Sequence, residues 1–252
     1  MVNSLVIGAS RGLGLQLSKV LHANGHRVFA TIRSSQNHNM PAGVSTIPGI
    51  DIGREDAGAR IVQGLEGEKL DLVIINAGVF KKETLEAPNF EDEMDMYKVV
   101  AIAPVFLAHH LWKANSLSSP SKFVLITTEG GSIGLRTKEE GGGNYGHHGS
   151  KAAANMVGKL LANDFYDKGV TVMMIHPGFM KTDMTKGVGF DQFYESGGAV
   201  EPEEAAQSTV EFISKITHEM TGTFWAPRGP RDIGEAERVM GKNLPTPLRL
   251  PW

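Results

Sequence analysis

The sequence predicts an α/β fold: a doubly wound parallel sheet of about seven strands with helices on both faces. Three observations predict it. Short apolar runs alternate with segments of helical period along the whole chain. The runs are continuously apolar instead of alternating, as expected of strands covered on both faces. The first run meets a glycine-rich turn that opens at once into a helix.

Taken in order, Leu5-Val6-Ile7 forms the first strand and Gly8-Ala9-Ser10-Arg11-Gly12-Leu13-Gly14 the turn. Leu13, Leu17, Val20 and Leu21 give the following helix one apolar face, and Asn24-Gly25 closes it. Arg27–Thr31 is the second strand and Val44–Ile47 a weaker third. A helix runs from about Asp56 to Leu65, then a strongly apolar strand from Leu70 to Ile75. Phe90 to Trp112 reads as one long helix, Lys122 to Thr127 as a strand, and Ser150 to Phe165 as a helix. Val170–Ile175 is the sixth strand and Thr223–Trp225 the seventh. No repeat or linker divides the 252 residues, so one domain is expected over 1–252. It carries a substrate lid at about 178–200, rich in Phe179, Met180, Phe190, Phe193 and Tyr194, and an irregular tail at about 226–252.

Composition removes several functions. The net charge is −3 and no basic block stands out, so neither nucleic acid nor an anionic membrane is an expected partner. Cysteine is absent, which excludes disulfide and thiol chemistry. No apolar run approaches the about 18 residues of a spanning helix. The opening apolar segment has no charged leader and is broken by Gly8, so it reads as a strand instead of a signal peptide. A cytoplasmic protein is the expectation. No metal is expected, because neither His109-His110 nor His147-His148 has a carboxylate at ligand spacing. His22, His26, His176 and His218 read as structural.

Glycines at positions 8, 12 and 14, between a strand and a helix, suit a pyrophosphate lying on the helix N-terminus. A Rossmann-type dinucleotide site follows from that context. The spacing G-x-x-x-G-x-G resembles that of the short-chain dehydrogenase/reductase family. The resemblance extends in order through Asn76-Ala77-Gly78, Ser150-Lys151-Ala152-Ala153 and Pro177-Gly178 with Thr182. It implies that Asp51-Ile52 flanks the adenine and that Asn76, Ala77 and Gly78 lie along the cofactor. Pro177, Gly178 and Thr182 then lie around the nicotinamide amide. Where the second strand ends, no carboxylate stands to bind a ribose hydroxyl. Arg33 stands there instead, with Arg11 in the turn, and a guanidinium fork suits a 2′-phosphate. NADP(H) is therefore the expected cofactor, bound by Gly8, Ser10, Arg11, Gly12, Leu13, Gly14 and Arg33 in particular.

The resemblance also implies a catalytic set of tyrosine, lysine, serine and asparagine, and here the chain departs. Lys151 matches the lysine and also serves the nicotinamide ribose. The tyrosine position, four residues earlier, holds His147; the serine position holds Thr128; the asparagine position, four before Pro104, holds Val100. Threonine keeps a hydroxyl donor, whereas valine anchors no water. Histidine starts from a pKa of about 6.5, and a neighbouring lysine lowers it further. Proton donation by His147 is thus penalised while proton abstraction stays open. Tyr145 is a second route to a phenol, provided the surrounding glycines keep the stretch irregular.

The leading expectation is a short-chain oxidoreductase that interconverts a carbonyl and an alcohol on a hydrophobic small molecule. Two readings stay open beside it: a non-redox isomerase, dehydratase or cyclase with His147 as base, and a catalytically silent NADP(H)-binding protein. By family resemblance a homodimer or homotetramer forms through the two long helices.

Overall fold

The computed structural model describes residues 1–34 and 39–252. Its sheet has eight strands in the order β3-β2-β1-β4-β5-β6-β7-β8. They are β1 (Asn3–Ile7), β2 (Arg27–Thr31), β3 (Ser45–Ile47), β4 (Leu70–Ile75), β5 (Leu117–Ile126), β6 (Val170–Ile175), β7 (Thr223–Ala226) and β8 (Leu248–Arg249). The first seven are parallel, and β8 pairs antiparallel with β7. The expected count of about seven is corrected by one. The eighth strand comes from the tail, where Leu250 N donates to Phe224 O at 2.8 Å.

The continuous apolar runs are explained by two cores, one on each face. Leu5, Ile7, Val73, Phe123, Leu125 and Val172 point to one core, shared with helices α2 (Ala57–Gly64), α4 (Ala103–Lys113) and α5 (Tyr145–Phe165). Val6, Ile74, Val124, Met173 and Ile175, their sequence neighbours, point to the other, under α1 (Gly12–Ala23) and α7 (Pro202–Lys215). Alternate residues of each strand are thus buried on opposite faces, which leaves no polar side to show in the sequence.

Several elements differ from expectation, among them β5, which starts at Leu117 and not at Lys122. The long helix is α3 (Phe90–Tyr97), a π segment (Lys98–Ile102) and α4 in succession. Pro104 has no N–H to continue the i→i−4 ladder, and Ala103 N donates instead to Lys98 O, five residues back. Helix α5 begins at Tyr145, five residues earlier than expected. Helix α7 was not anticipated. The lid and tail contain the short helices α6 (Asp183–Gly187) and α8 (Ala236–Met240), so the tail is not wholly irregular. It packs on its own chain: Ser132 Oγ donates to Pro251 O at 2.8 Å, and Trp252 stacks on Phe224.

Candidate active site

The carboxyl ends of β1, β2, β4, β5 and β6 meet along one edge, where doubly wound sheets bind ligands. The glycine turn sits there. Gly14 has no room for a side chain, since a Cβ would stand 2.1 Å from Gly8 O and 2.6 Å from Asn76 Nδ2. That contact is how α1 packs against β1, and Asn76 Nδ2 reinforces it by donating to Gly8 O at 3.0 Å. Gly12 is different: its φ is +53° and a Cβ there would meet only Thr182 Cγ2, at 3.8 Å, across open space. Behind it, α1 starts with no side-chain cap and no acidic residue in its first turn. The N–H groups of the first turn of α1 are therefore uncapped at the opening, which fits a pyrophosphate.

Around that point Ser10 Oγ accepts from Arg33 N at 3.4 Å, tying the turn to the end of β2. Arg33 is exposed and Leu13 is buried. Arg11 lies 3.6 Å from Asp183 at the start of α6, a largely exposed pair worth little by itself. Asp51 Oδ1 accepts from Gly53 N at 3.0 Å, and the neighbouring Ile52 is buried. Ala77 N donates to Ile7 O. Pro177 and Gly178 follow β6, and Phe179 N donates to Asp232 at 2.8 Å. Thr182 is the N-cap of α6 in a reciprocal capping box with Thr185.

The positions expected to be catalytic lie at the start of α5, at the end of β5 and in the π segment. Lys151 is buried, and its Nζ donates to Ile126 O at 2.8 Å. Gly78 adjoins it; a Cβ there would lie 3.8 Å from Nζ. Burial lowers the Lys151 pKa to about 8. His147 lies one turn earlier on the same side of the helix. Phe80 stacks on its ring at 3.8 Å with the planes 19° apart, and His148 meets it edge-on at 5.3 Å. Burial first, then the Lys151 and His148 charges, push the His147 pKa down to about 3. Thr128 Oγ1 accepts from Gly130 N at 3.3 Å, which leaves its own O–H free to donate. Val100 is buried in the π segment.

Tyr145 is the first residue of α5, so the irregular stretch ends before it. Its hydroxyl lies near Gly142, and its ring borders a groove of about 440 Å³ formed with residues 82–86 and 142–144.

Phe80 was not singled out by sequence. It lies four residues beyond Asn76 with no local signal, and only the tertiary contact with His147 reveals it. Phe190 of the lid meets Phe80 edge-on at 5.5 Å and Phe179 at 6.5 Å, so the lid touches the wall that covers His147. Asp232 was missed as well. It is buried in the tail and accepts from both Phe179 N and Arg228 Nε. His176, read as structural, accepts at Nδ1 from Glu129 N at 3.1 Å.

The family model for short chain dehydrogenases matches residues 3–192. The chain belongs to the short-chain dehydrogenase family. A relative in that family is the 1-hydroxy-2-glutathionyl-2-methyl-3-butene dehydrogenase of Rhodococcus sp. (strain AD45). It is 30% identical over 226 residues, which are 89% of this chain and 96% of the relative. Carbonyl reductase Sniffer of D. melanogaster shares the short-chain dehydrogenase fold with a TM-score of 0.77 at 24% identity, covering all of both chains. The NADPH-bound carbonyl reductase from chicken fatty liver shares it with a TM-score of 0.74 at 23% identity. That match covers 89% of this chain and 91% of that one. Among the described residues no helix is long and apolar enough to cross a membrane.

Proposed function

We propose that this short-chain dehydrogenase is an NADP(H)-dependent oxidoreductase that interconverts an alcohol and a carbonyl on a hydrophobic small molecule. The observation that carries the reading is the buried Lys151, one helical turn from His147 and bonded to the carboxyl end of β5, on the same edge of the sheet as the uncapped N-terminus of α1. Uncapped N–H groups of α1 would hold the pyrophosphate, with Arg33 on the 2′-phosphate. Asp51 and Ile52 would flank the adenine, and Asn76, Ala77, Gly78, Pro177 and Gly178 would line the rest. The NADPH bound to the chicken carbonyl reductase supports the choice of the phosphorylated coenzyme. Bound, that coenzyme supplies or removes a hydride.

The chain's own residues then hold the substrate oxygen. Thr128 offers a free O–H, and His147 faces the same helix side as Lys151. Phe80, Phe179 and Phe190 form an apolar wall that excludes water and suits a hydrophobic carbon skeleton. The non-redox reading, with His147 as base, needs an imidazolium to persist after proton abstraction. Burial first, then the Lys151 and His148 charges, lower the His147 pKa, so the non-redox reading carries less support.

The outward faces of α4 and α5 leave Val105, Phe106, Met156 and Leu160 exposed. A second copy of the chain, packing through these two helices, would cover them. Sedimentation of the purified protein checks this, with a dimer or tetramer expected.

Turnover tests the activity. NADPH incubated with a panel of ketones, aldehydes and quinones, or NADP⁺ with the matching alcohols, should change absorbance at the nicotinamide band. Product formed without that change would overturn the redox reading.

A further inference from the structure

The surroundings of His147 leave its ring one usable form. Of its two ring nitrogens Nδ1 is the buried one, and no hydrogen-bond partner reaches it among the described residues. A proton there would be an unpaired buried donor, so the neutral ring carries its proton on Nε2. An imidazolium needs protons on both nitrogens, which would leave a buried Nδ1–H unpaired and add a charge to a buried ring. The ring therefore neither releases a proton as a cation nor offers an Nε2 lone pair to receive one.

Lys151 is placed differently. Among the described residues its buried Nζ has one hydrogen-bond acceptor, Ile126 O, which leaves two N–H positions uncommitted. Among the described residues no carboxylate is paired with it, and burial accounts for its lowered pKa. The other titratable groups of the neighbourhood are His148 on the same helix and Glu129 and Arg136 after β5. His176 stands at the end of β6, Glu83 and Glu93 beside the start of α5, Tyr97 of α3 against Gly149, and Tyr145 at the first position of α5.

We infer that Lys151 is the proton-carrying catalytic residue and that His147 is an uncharged N–H donor to the substrate oxygen, beside Thr128. This rests on the oxidoreductase reading above. In alcohol oxidation the substrate O–H bond breaks and its proton joins the Nζ lone pair. The carbinol C–H electron pair leaves as hydride to an oxidised nicotinamide, and C=O forms. In reduction an Nζ–H bond breaks, and the proton goes to the oxygen as carbon receives hydride from a reduced nicotinamide. A fixed neutral imidazole N–H can polarise an oxygen without ionising.

Two measurements test it. Nitrogen-15 NMR of the intact protein, with His147→Gln for assignment, should show the Nε2–H form of His147 with no titration between pH 5 and 8. Titration in that range, or an Nδ1–H form, would overturn the histidine role whether or not a substrate is known. With a substrate from the panel, wild-type oxidation should rise with pH to a plateau above about 8. His147→Gln should keep that profile within about tenfold of the wild-type rate, and His147→Phe should lose about a hundredfold or more. Lys151→Ala should lose the limb near 8 and regain rate with added ethylamine. Lys151→Arg, folded and charged but unable to titrate, should stay inactive. A limb near 8 that survives in Lys151→Arg, or disappears in His147→Gln, overturns the lysine role. If no panel compound is turned over, the oxidoreductase reading and the lysine role fall together, and the NMR result still decides the histidine form.

Discussion

The two halves of the cleft, the glycine turn with β2 and β4 and the β5–α5 half, are built from the same parallel scaffold yet follow different rules. In the first, the positions from Gly8 to Gly78 that the family resemblance singled out lie just past the ends of β1, β2, β3 and β4. Gly14 is filled by neighbouring atoms and Gly12 is open. In the second, the resemblance matches the lysine with Lys151, while His147, Thr128 and Val100 stand where it would have tyrosine, serine and asparagine. The comparison teaches that the binding half depends on backbone shape, which tolerates little change. The reacting half depends on side-chain protons, and several residue types can supply those.

Gly14→Ala attacks the first half where backbone meets backbone. With only 2.1 Å to Gly8 O, it should destabilise the chain by about 3 kcal/mol or more, read by urea unfolding. A loss below about 1 kcal/mol would mean that helix and strand separate easily and that the cradle is not rigid. Arg33→Ala should weaken NADPH binding about ten- to a hundredfold and leave NADH nearly unchanged, since a charge-assisted pair is worth about 1.5–3 kcal/mol.

In the second half, His147 should make the fold acid-sensitive. Its folded pKa of about 3 lies below the unfolded value of 6.5, so the unfolded chain binds the extra proton between them. Stability from this group is full above about 6.5 and is lost as pH falls towards 3. At pH 4.5 the loss amounts to about 2–3 kcal/mol, and His147→Gln should recover it in thermal melts at pH 4.5 against pH 7. Phe190→Ala removes the edge contact on Phe80, worth about 1 kcal/mol, and should raise KM several-fold with kcat less affected. Tyr145→Phe, at the groove beside residues 82–86, should leave turnover within about threefold, an effect on the order of 0.5 kcal/mol.

Much of the fold was legible because β1, β4 and β6 each hold three or four consecutive apolar residues, a pattern that two-faced burial imposes. Strand β8 was not, for two residues of β pairing carry no periodicity. Helix α7 had its signals, Pro202 in the first turn followed by Glu203 and Glu204, over a face of Ala206, Val210 and Ile213. The π segment could be traced to Pro104 only once the hydrogen bonds were known. In the site, the glycine motif marked the cradle because backbone demands leave glycines behind. Phe80 left no such mark, since nothing around residue 80 tells which ring it will cover. The same holds for Asp232, which reaches Phe179 from 53 residues away.

Calorimetric titration of the unmodified protein with NADPH and then NADH tests the kept cradle most directly. Micromolar binding of NADPH, with NADH at least about tenfold weaker, is the predicted result. Equal affinity for the two, or no heat from either at millimolar concentration, would contradict the account.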